Sequence, residues 1–207
     1  MNILHIDCSP RPGSHSRALS AAIVERLVEG APGASISRRD LAFHPVPHPW
    51  PDYATALSSP ATLAAPPPRS LDVSEFLIQE VEAADVIVIG TPMNNLTVPS
   101  VLKAWIDQVL RAGRTFTSTP AGKVGMLQDR PVFVGIASGG IFAGDRANQP
   151  DFLRPYLSAV LGSTGLKTLH FLAVQATAFL DPVQAVAARE QALSTIDFKR
   201  FAGVPCL

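Results

Sequence analysis

Short apolar runs are separated along this chain by longer stretches in which apolar residues return every three or four positions. The runs read as strands: Ile3 to Ile6, "DVIVIG" from Asp85 to Gly90, "PVFVGIAS" from Pro131 to Ser138 and "KTLHFLAV" from Lys167 to Val174. The more polar "ASISRRDL", Ala34 to Leu41, reads as a second strand between the first two. The unbroken Val86 to Ile89 segment suits a parallel strand covered on both faces. Helical spacing follows each strand in some form. Leu19, Ile23 and Leu27 share one face, and Val73, Phe76, Leu77 and Val81 share another, behind an Asp72/Glu75 capping box and running to about Ala84. Val101, Leu102, Trp105, Ile106, Val109 and Leu110 predict a third helix with Pro99 in its first turn. Phe152, Tyr156, Leu157, Val160 and Leu161 predict a fourth, closed by Gly162 or Gly165, and Asp181 with Pro182 opens a fifth.

Five strands alternating with five helices require a parallel sheet with right-handed crossovers. Two stretches stand outside that alternation. The Pro-rich segment from Pro45 to Pro68 reads as no regular element, and its length points to a covering loop or partial disorder. The polar span from Arg111 to Arg130 reads as an excursion that a hairpin would satisfy.

Composition narrows the class. A chain of 207 residues with 47% hydrophobic residues suffices for one core, so residues 1–207 are read as a single domain. Seventeen basic residues balance seventeen acidic ones, which argues against a nucleic-acid or membrane partner and against a strongly acidic electron carrier. No apolar run approaches the roughly 20 residues of a bilayer span, and the first residues carry no secretory pattern, so the expected location is cytoplasmic. Cys8 and Cys206 form neither a disulfide framework nor a metal-ligand spacing and read as free thiols.

In an open parallel sheet, ligands bind beyond the carboxyl ends of the strands where the winding reverses. Three loops lie there: Cys8 to Ser16, Pro92 to Thr97, and Ala137 to Phe142. The first, within "DCSPRPGSHSRALS", lacks both the dinucleotide fingerprint and the P-loop pattern. Its Ser9, Ser14 and Ser16 hydroxyls, with His15 and Arg17 close by and a helix start behind them, suit a mononucleotide phosphate. A polar turn with Ser16 capping the helix would look the same. Asn94 and Asn95 can meet a polar ring edge or simply form a turn, and Gly139 and Gly140 can pass close to a flat ligand or close a tight turn. The joint occurrence of the three signals on one side of the sheet favours a ligand.

These loops resemble those of the FMN-dependent NADH azoreductases and NAD(P)H:quinone oxidoreductases of the flavodoxin-like superfamily. The resemblance spans "CSPRPGSHSRALS", "RRDLAFHPVP", "ADVIVIGTPMNNLTVPSVLKAWIDQVLRAGRTF", "ASGGIF" and "PYLSAVLGSTGLKTLHFL". It implies a flavodoxin-like, doubly wound α/β fold: five parallel strands in the order 2-1-3-4-5 with helices on both faces. It also implies FMN as cofactor, with Ser9, Ser14, His15 and Ser16 on the phosphate. Pro92, Met93, Asn94, Asn95 and Leu96 then meet the isoalloxazine, and Ala137, Ser138, Gly139 and Gly140 its other edge. By the same resemblance NADH or NADPH donates two electrons through FMN to a quinone or azo compound in a homodimer, and no side chain is assigned as catalytic acid or base. A reductase releasing reduced FMN and a non-enzymatic electron carrier are the alternatives.

Three positions depart from the family pattern. Asn94 and Leu96 stand where aromatics are usual, and Phe142 where a histidine often follows Gly-Gly-Ile. All three border the substrate side in relatives, so extended azo dyes are expected to fare worse than small quinones. His44 and His48 lack a third ligand type and make a poor metal site. Trp50 and Tyr53 read as packing or cover for a ligand, Trp105 as core or dimer contact. Asp7 has no acidic neighbour with which to hold a metal, unlike a phospho-acceptor site.

Overall fold

Strand β1 (Asn2–Asp7) lies inside the sheet, paired on both sides, and its apolar residues point alternately to two cores. The computed structural model describes residues 1–201. After β1 come α1 (His15–Gly30), β2 (Ser35–Asp40), α2 (Pro51–Ala56), α3 (Pro60–Ala64), α4 (Asp72–Ala83) and β3 (Val86–Pro92). Helix α5 (Ser100–Val109), β4 (Phe116–Thr119), β5 (Gly122–Gly125) and β6 (Val132–Ala137) follow. The chain continues through α6 (Leu153–Thr164), β7 (Leu169–Val174), α7 (Pro182–Ser194) and a 3-10 turn, Phe198–Phe201.

Five strands pair in parallel in the order β2-β1-β3-β6-β7, which is 2-1-3-4-5 among the sheet's own strands. The chain winds outward from β1 to β2, then reverses from β3 through β6 to β7, so a crevice opens between the ends of β1 and β3. The crossover connections segregate the helices onto the two faces. Leu19, Ile23 and Leu27 of α1 and Leu193 of α7 cover Val86, Val88 and Phe133 on one face. Leu77 and Val81 of α4, Trp105 and Ile106 of α5, and Leu157 and Leu161 of α6 cover Ile87, Ile89 and Val134 on the other. Trp105 is therefore core.

Some local expectations are corrected and others are met. The Pro-rich segment carries two short helices, each with proline at its start, where the missing amide costs no hydrogen bond. Ser59 and Thr62 form a reciprocal capping box there. Tyr53 is buried with its hydroxyl donating to the Asp107 carbonyl, whereas Trp50 is exposed. The capping box at Asp72 and Glu75 is absent: Leu71 occupies the cap position, and Glu75 is drawn into ion pairs with Arg111 and Arg114. Pro99 is the cap of α5, one residue before its first turn. Gly165, at φ +112°, and not Gly162, ends α6 in the left-handed conformation. The excursion after α5 is an antiparallel hairpin, β4-β5. Cys8 is a buried free thiol, and Cys206 lies outside the described residues. Among the described residues no helix is long and apolar enough to cross a membrane, and no three His, Cys, Asp or Glu side chains gather as metal ligands.

Candidate active site

The ends of β1, β3, β6 and β7 surround a cleft of about 410 Å3. Ser9, Ser14, His15 and Ser16 line it from the first loop, Pro92, Met93 and Asn94 from the second, and Ala137 and Gly139 from the third. Asn95, Leu96, Ser138, Gly140 and Phe142 do not line it. Phe142 is buried in the core on the α6 side, with the Arg154 guanidinium 5.1 Å from its ring centre. Arg11, from the first loop, and Thr177 and Ala178, beyond β7, also line the cleft and were not among the expected site residues. The signal for the last two was available in principle. A fifth parallel strand beside the fourth must deliver its C-terminal loop to the same edge. A larger hollow of about 770 Å3 lies along the outer edge of β7, away from the switch point.

The first loop is built to present donors. Ser14, not Ser16, caps α1, its hydroxyl accepting from the Arg17 amide at 3.3 Å. Ser14 and Ser16 hydroxyls lie 3.2 Å apart, so one proton is used between them and the other stays available. The Ser9 hydroxyl accepts from the Arg11 amide at 3.3 Å, and its own proton has no acceptor among the described residues. The first amides of α1 lack intrahelical acceptors, so hydroxyls and amides converge where the helix dipole favours an anion.

The second loop is a two-residue turn. Asn94 and Thr97 exchange both backbone hydrogen bonds, at 2.9 and 3.0 Å, while Asn95 and Leu96 adopt φ of +48° and +72°. Two left-handed residues match a type I′ turn, easy for Asn but costly for Leu, which holds the conformation at roughly 1 to 2 kcal/mol. Its carbonyl accepts from the Phe152 amide at 3.2 Å.

The third loop is pinned by two glutamines. Gln149 Nε2 donates to the Ser138 hydroxyl at 2.9 Å and lies 3.2 Å from Met93 Sδ, linking the third loop to the second. A Cβ on Gly140 would sit 2.5 Å from Gln149 Oε1, so a larger residue there would have to displace the Gln149 side chain. Gln175 Oε1 accepts from the amides of Phe142 and Ala143 at 2.8 and 2.9 Å.

Beneath the first loop lies a charged cluster. Asp7 is fully buried, accepts from the Ser20 hydroxyl at 3.1 Å and pairs with Arg38 at 2.7 Å. Burial lowers the pKa of His5, which the neighbouring Asp7 charge only partly opposes, and its Nε2 sits 2.9 Å from Ser20 Oγ. Burial likewise pushes the Cys8 thiol up, away from a reactive thiolate.

Residues 1–197 match the family described as having a flavodoxin-like fold. An FMN-dependent NADH:quinone oxidoreductase of Pseudomonas fluorescens is 48% identical over 181 residues, covering 87% of this chain and 86% of that protein. The chain belongs to the family of FMN-dependent NADH:quinone oxidoreductases. A second such relative, from Cupriavidus pinatubonensis, is 46% identical over 166 residues, covering 79% of this chain and 81% of that one. An FMN-dependent NADH-azoreductase of Bacillus anthracis, solved in complex with FMN, superposes with a TM-score of 0.80 at 25% identity, over 98% of this chain and 100% of that one. A further Bacillus anthracis azoreductase structure, 24% identical, gives a TM-score of 0.79 over 97% of this chain and 99% of the other, which bears on the fold. In this family member the three loops reach one cleft from strands that share a single switch point.

Proposed function

We propose that the protein is an FMN-dependent oxidoreductase passing two electrons from NADH, or NADPH, to a quinone or azo acceptor. The observation that carries this reading is the convergence of the serine loop, the Pro-Met-Asn loop and the Gly-Gly loop on one cleft. The cleft's chemistry fits FMN: hydroxyl and amide donors at the start of α1 for a phosphate, and Pro92, Met93, Ala137 and Gly139 as apolar or side-chain-free surface for a flat ring. FMN, when bound, supplies the two-electron chemistry, so no catalytic acid or base is required of the chain.

Ser9, Ser14, His15 and Ser16 hold the phosphate, and the open end of α1 adds partial positive charge. Pro92, Met93 and Asn94 bound the ring directly, while Asn95 and Leu96 shape their turn. Ala137 and Gly139 bound the other edge, with Ser138 held behind them by Gln149 and the Gly140 carbonyl accepting from the Ala176 amide. Phe142, buried in the protomer, acts on the acceptor only by setting the path of its loop. The whole chain, 1–207, works as one FMN-binding unit in the cytoplasm.

The active form is a homodimer. Supporting this, Phe152 and Phe179 are 59% and 81% exposed on segments that adjoin the second loop and the cleft lining. A second copy placed there would remove that apolar surface from water.

Titration of the protein with FMN is expected to quench flavin fluorescence at one equivalent per chain, and the complex to oxidise NADH only when a quinone is present. No quenching would refute cofactor binding. Equal NADH oxidation with free FMN as the sole acceptor would favour the FMN-reductase alternative.

A further inference from the structure

Arg17 is the third residue of α1, yet its side chain turns inward beneath the serine loop and is only 8% exposed. Its Nε donates to the Ser9 carbonyl at 2.8 Å. Nη1 and Nη2 donate to the two carboxylate oxygens of Asp40, at the end of β2, at 2.7 and 2.8 Å. Nη1 also lies 3.3 Å from Asp7, and the guanidinium carbon sits 5.1 Å from the centre of the Phe43 ring. Asp40 is engaged in turn: it accepts from the amides of Ala42 and Phe43 at 3.2 Å, and the Arg17 hydrogen bonds hold its carboxyl below the ordinary value. Bidentate, charge-assisted pairs of this kind are both strong and directional.

The Ser9–Pro10 peptide has no N–H, so the Ser9 carbonyl is its one hydrogen-bonding group. A carbonyl oxygen turned into the cleft would face an incoming anion with negative charge. Arg17 draws that oxygen to the buried side instead, leaving the Ser9 and Ser14 hydroxyls and the first α1 amides toward the cleft. The Arg17 charge is spent on Asp40 and Asp7, so its effect on the cleft is geometric.

We propose that Arg17, locked by Asp40, is the positioning residue that shapes the Ser9–Ser16 loop for a phosphate monoester and so selects FMN over flavins lacking the phosphate. This rests on the reading of that loop as the FMN phosphate site. The effect is confined to the phosphate end, because Arg17 touches nothing in the second or third loop.

Riboflavin carries the same ring without the phosphate and provides the control. Dissociation constants for FMN and riboflavin are to be measured by fluorescence quenching for the wild type, Arg17→Lys and Asp40→Asn. Lysine keeps the charge but loses the fork and the Nε bond. Arg17→Lys is expected to weaken FMN at least tenfold while moving riboflavin less than twofold. Asp40→Asn, which leaves Arg17 in place with a weaker anchor, is expected to weaken FMN three- to fivefold, again with riboflavin unmoved. It carries the test alone if Arg17→Lys does not fold. An unchanged FMN/riboflavin ratio in the variants, whether both ligands weaken together or neither does, overturns the proposal. A wild type that binds FMN no better than riboflavin instead overturns the phosphate assignment on which the proposal stands.

Discussion

Replacing Gly90 by alanine places a methyl group between β3 and α1, where there is no room for one. The new Cβ would clash with Ser20 Oγ and lie 2.7 Å from Ser20 Cβ and 3.0 Å from the Ser16 carbonyl oxygen. Ser20 cannot simply rotate away. Its hydroxyl meets His5 Nε2 at 2.9 Å, Asp7 Oδ1 at 3.1 Å and the Arg17 carbonyl at 3.1 Å. Either that hydroxyl gives up its partners or α1 retreats by roughly 0.7 Å to restore ordinary contact with the 2.7 Å atom. Overpacking costs about 1 to 3 kcal/mol, and each buried hydrogen bond lost about 1 more. The expected destabilisation is therefore about 3 kcal/mol, a Tm drop of roughly 6 to 12 °C for a chain of this size. Urea unfolding should show a lower midpoint at unchanged slope. Because α1 carries the serine loop at its start, FMN affinity should fall as well. Ser20→Gly in the Gly90→Ala background removes both clashing Ser20 atoms but also that hydroxyl's hydrogen bonds, and it carries a helix penalty of about 1 kcal/mol, so it should recover only about a third of the loss, the part due to overpacking. A Gly90→Ala loss below about 1 kcal/mol would show that α1 moves freely on the sheet, and would refute the argument from close approach.

Other substitutions test the remaining contacts. Gln149→Ala should cost about 1 to 2 kcal/mol and weaken FMN several-fold, since the buried Ser138 hydroxyl keeps only a 3.9 Å contact to Met93 Sδ; unchanged urea midpoint and FMN titration would count against a link between the two loops. Glu75 is held down to about 2 by Arg114 and Arg111, so its contribution to stability is complete above the ordinary value of 4.5 and lost as pH falls from there toward 2. Glu75→Gln should accordingly lower the urea midpoint at pH 7, by about 1 kcal/mol given that the carboxylate is partly exposed and screened, and the gap from wild type should close toward pH 2.5; a gap independent of pH would refute the ion-pair assignment. Asn94 is exposed at the cleft and offers no flat wall, so kcat/KM for benzoquinone should exceed that for methyl red, and Asn94→Tyr should raise the dye value roughly two- to tenfold through stacking worth about 0.5 to 1.5 kcal/mol. Dye reduction equal to quinone reduction in the wild type would remove the basis for that expectation.

Period and punctuation in the sequence determined the five parallel strands and the helices between them, because a strand buried on both faces, such as Val86 to Ile89, needs an unbroken apolar run. Chain order also determined that the serine, Pro-Met-Asn and Gly-Gly loops share one edge, since parallel strands with helical crossovers all end on the same side. Contacts between residues far apart in sequence were decided only by the tertiary structure. Arg17 reads as a spare cation beside a phosphate loop until Asp40, 23 residues on, takes both arms of its guanidinium. Glu75 has the spacing of a capping partner, but Arg111 and Arg114 from beyond α5 compete for it with full charges, and a charged pair outweighs a single amide. Phe142 looks like a pocket wall from its place after Gly-Gly-Ile, and it turns into the core because apolar contact with the α6 side buries the whole ring. Short prolyl helices at Pro51 and Pro60 fall below the length at which periodicity is legible. Local pattern specifies elements and their direction; side-chain partnership depends on packing that brings distant segments within a few ångströms.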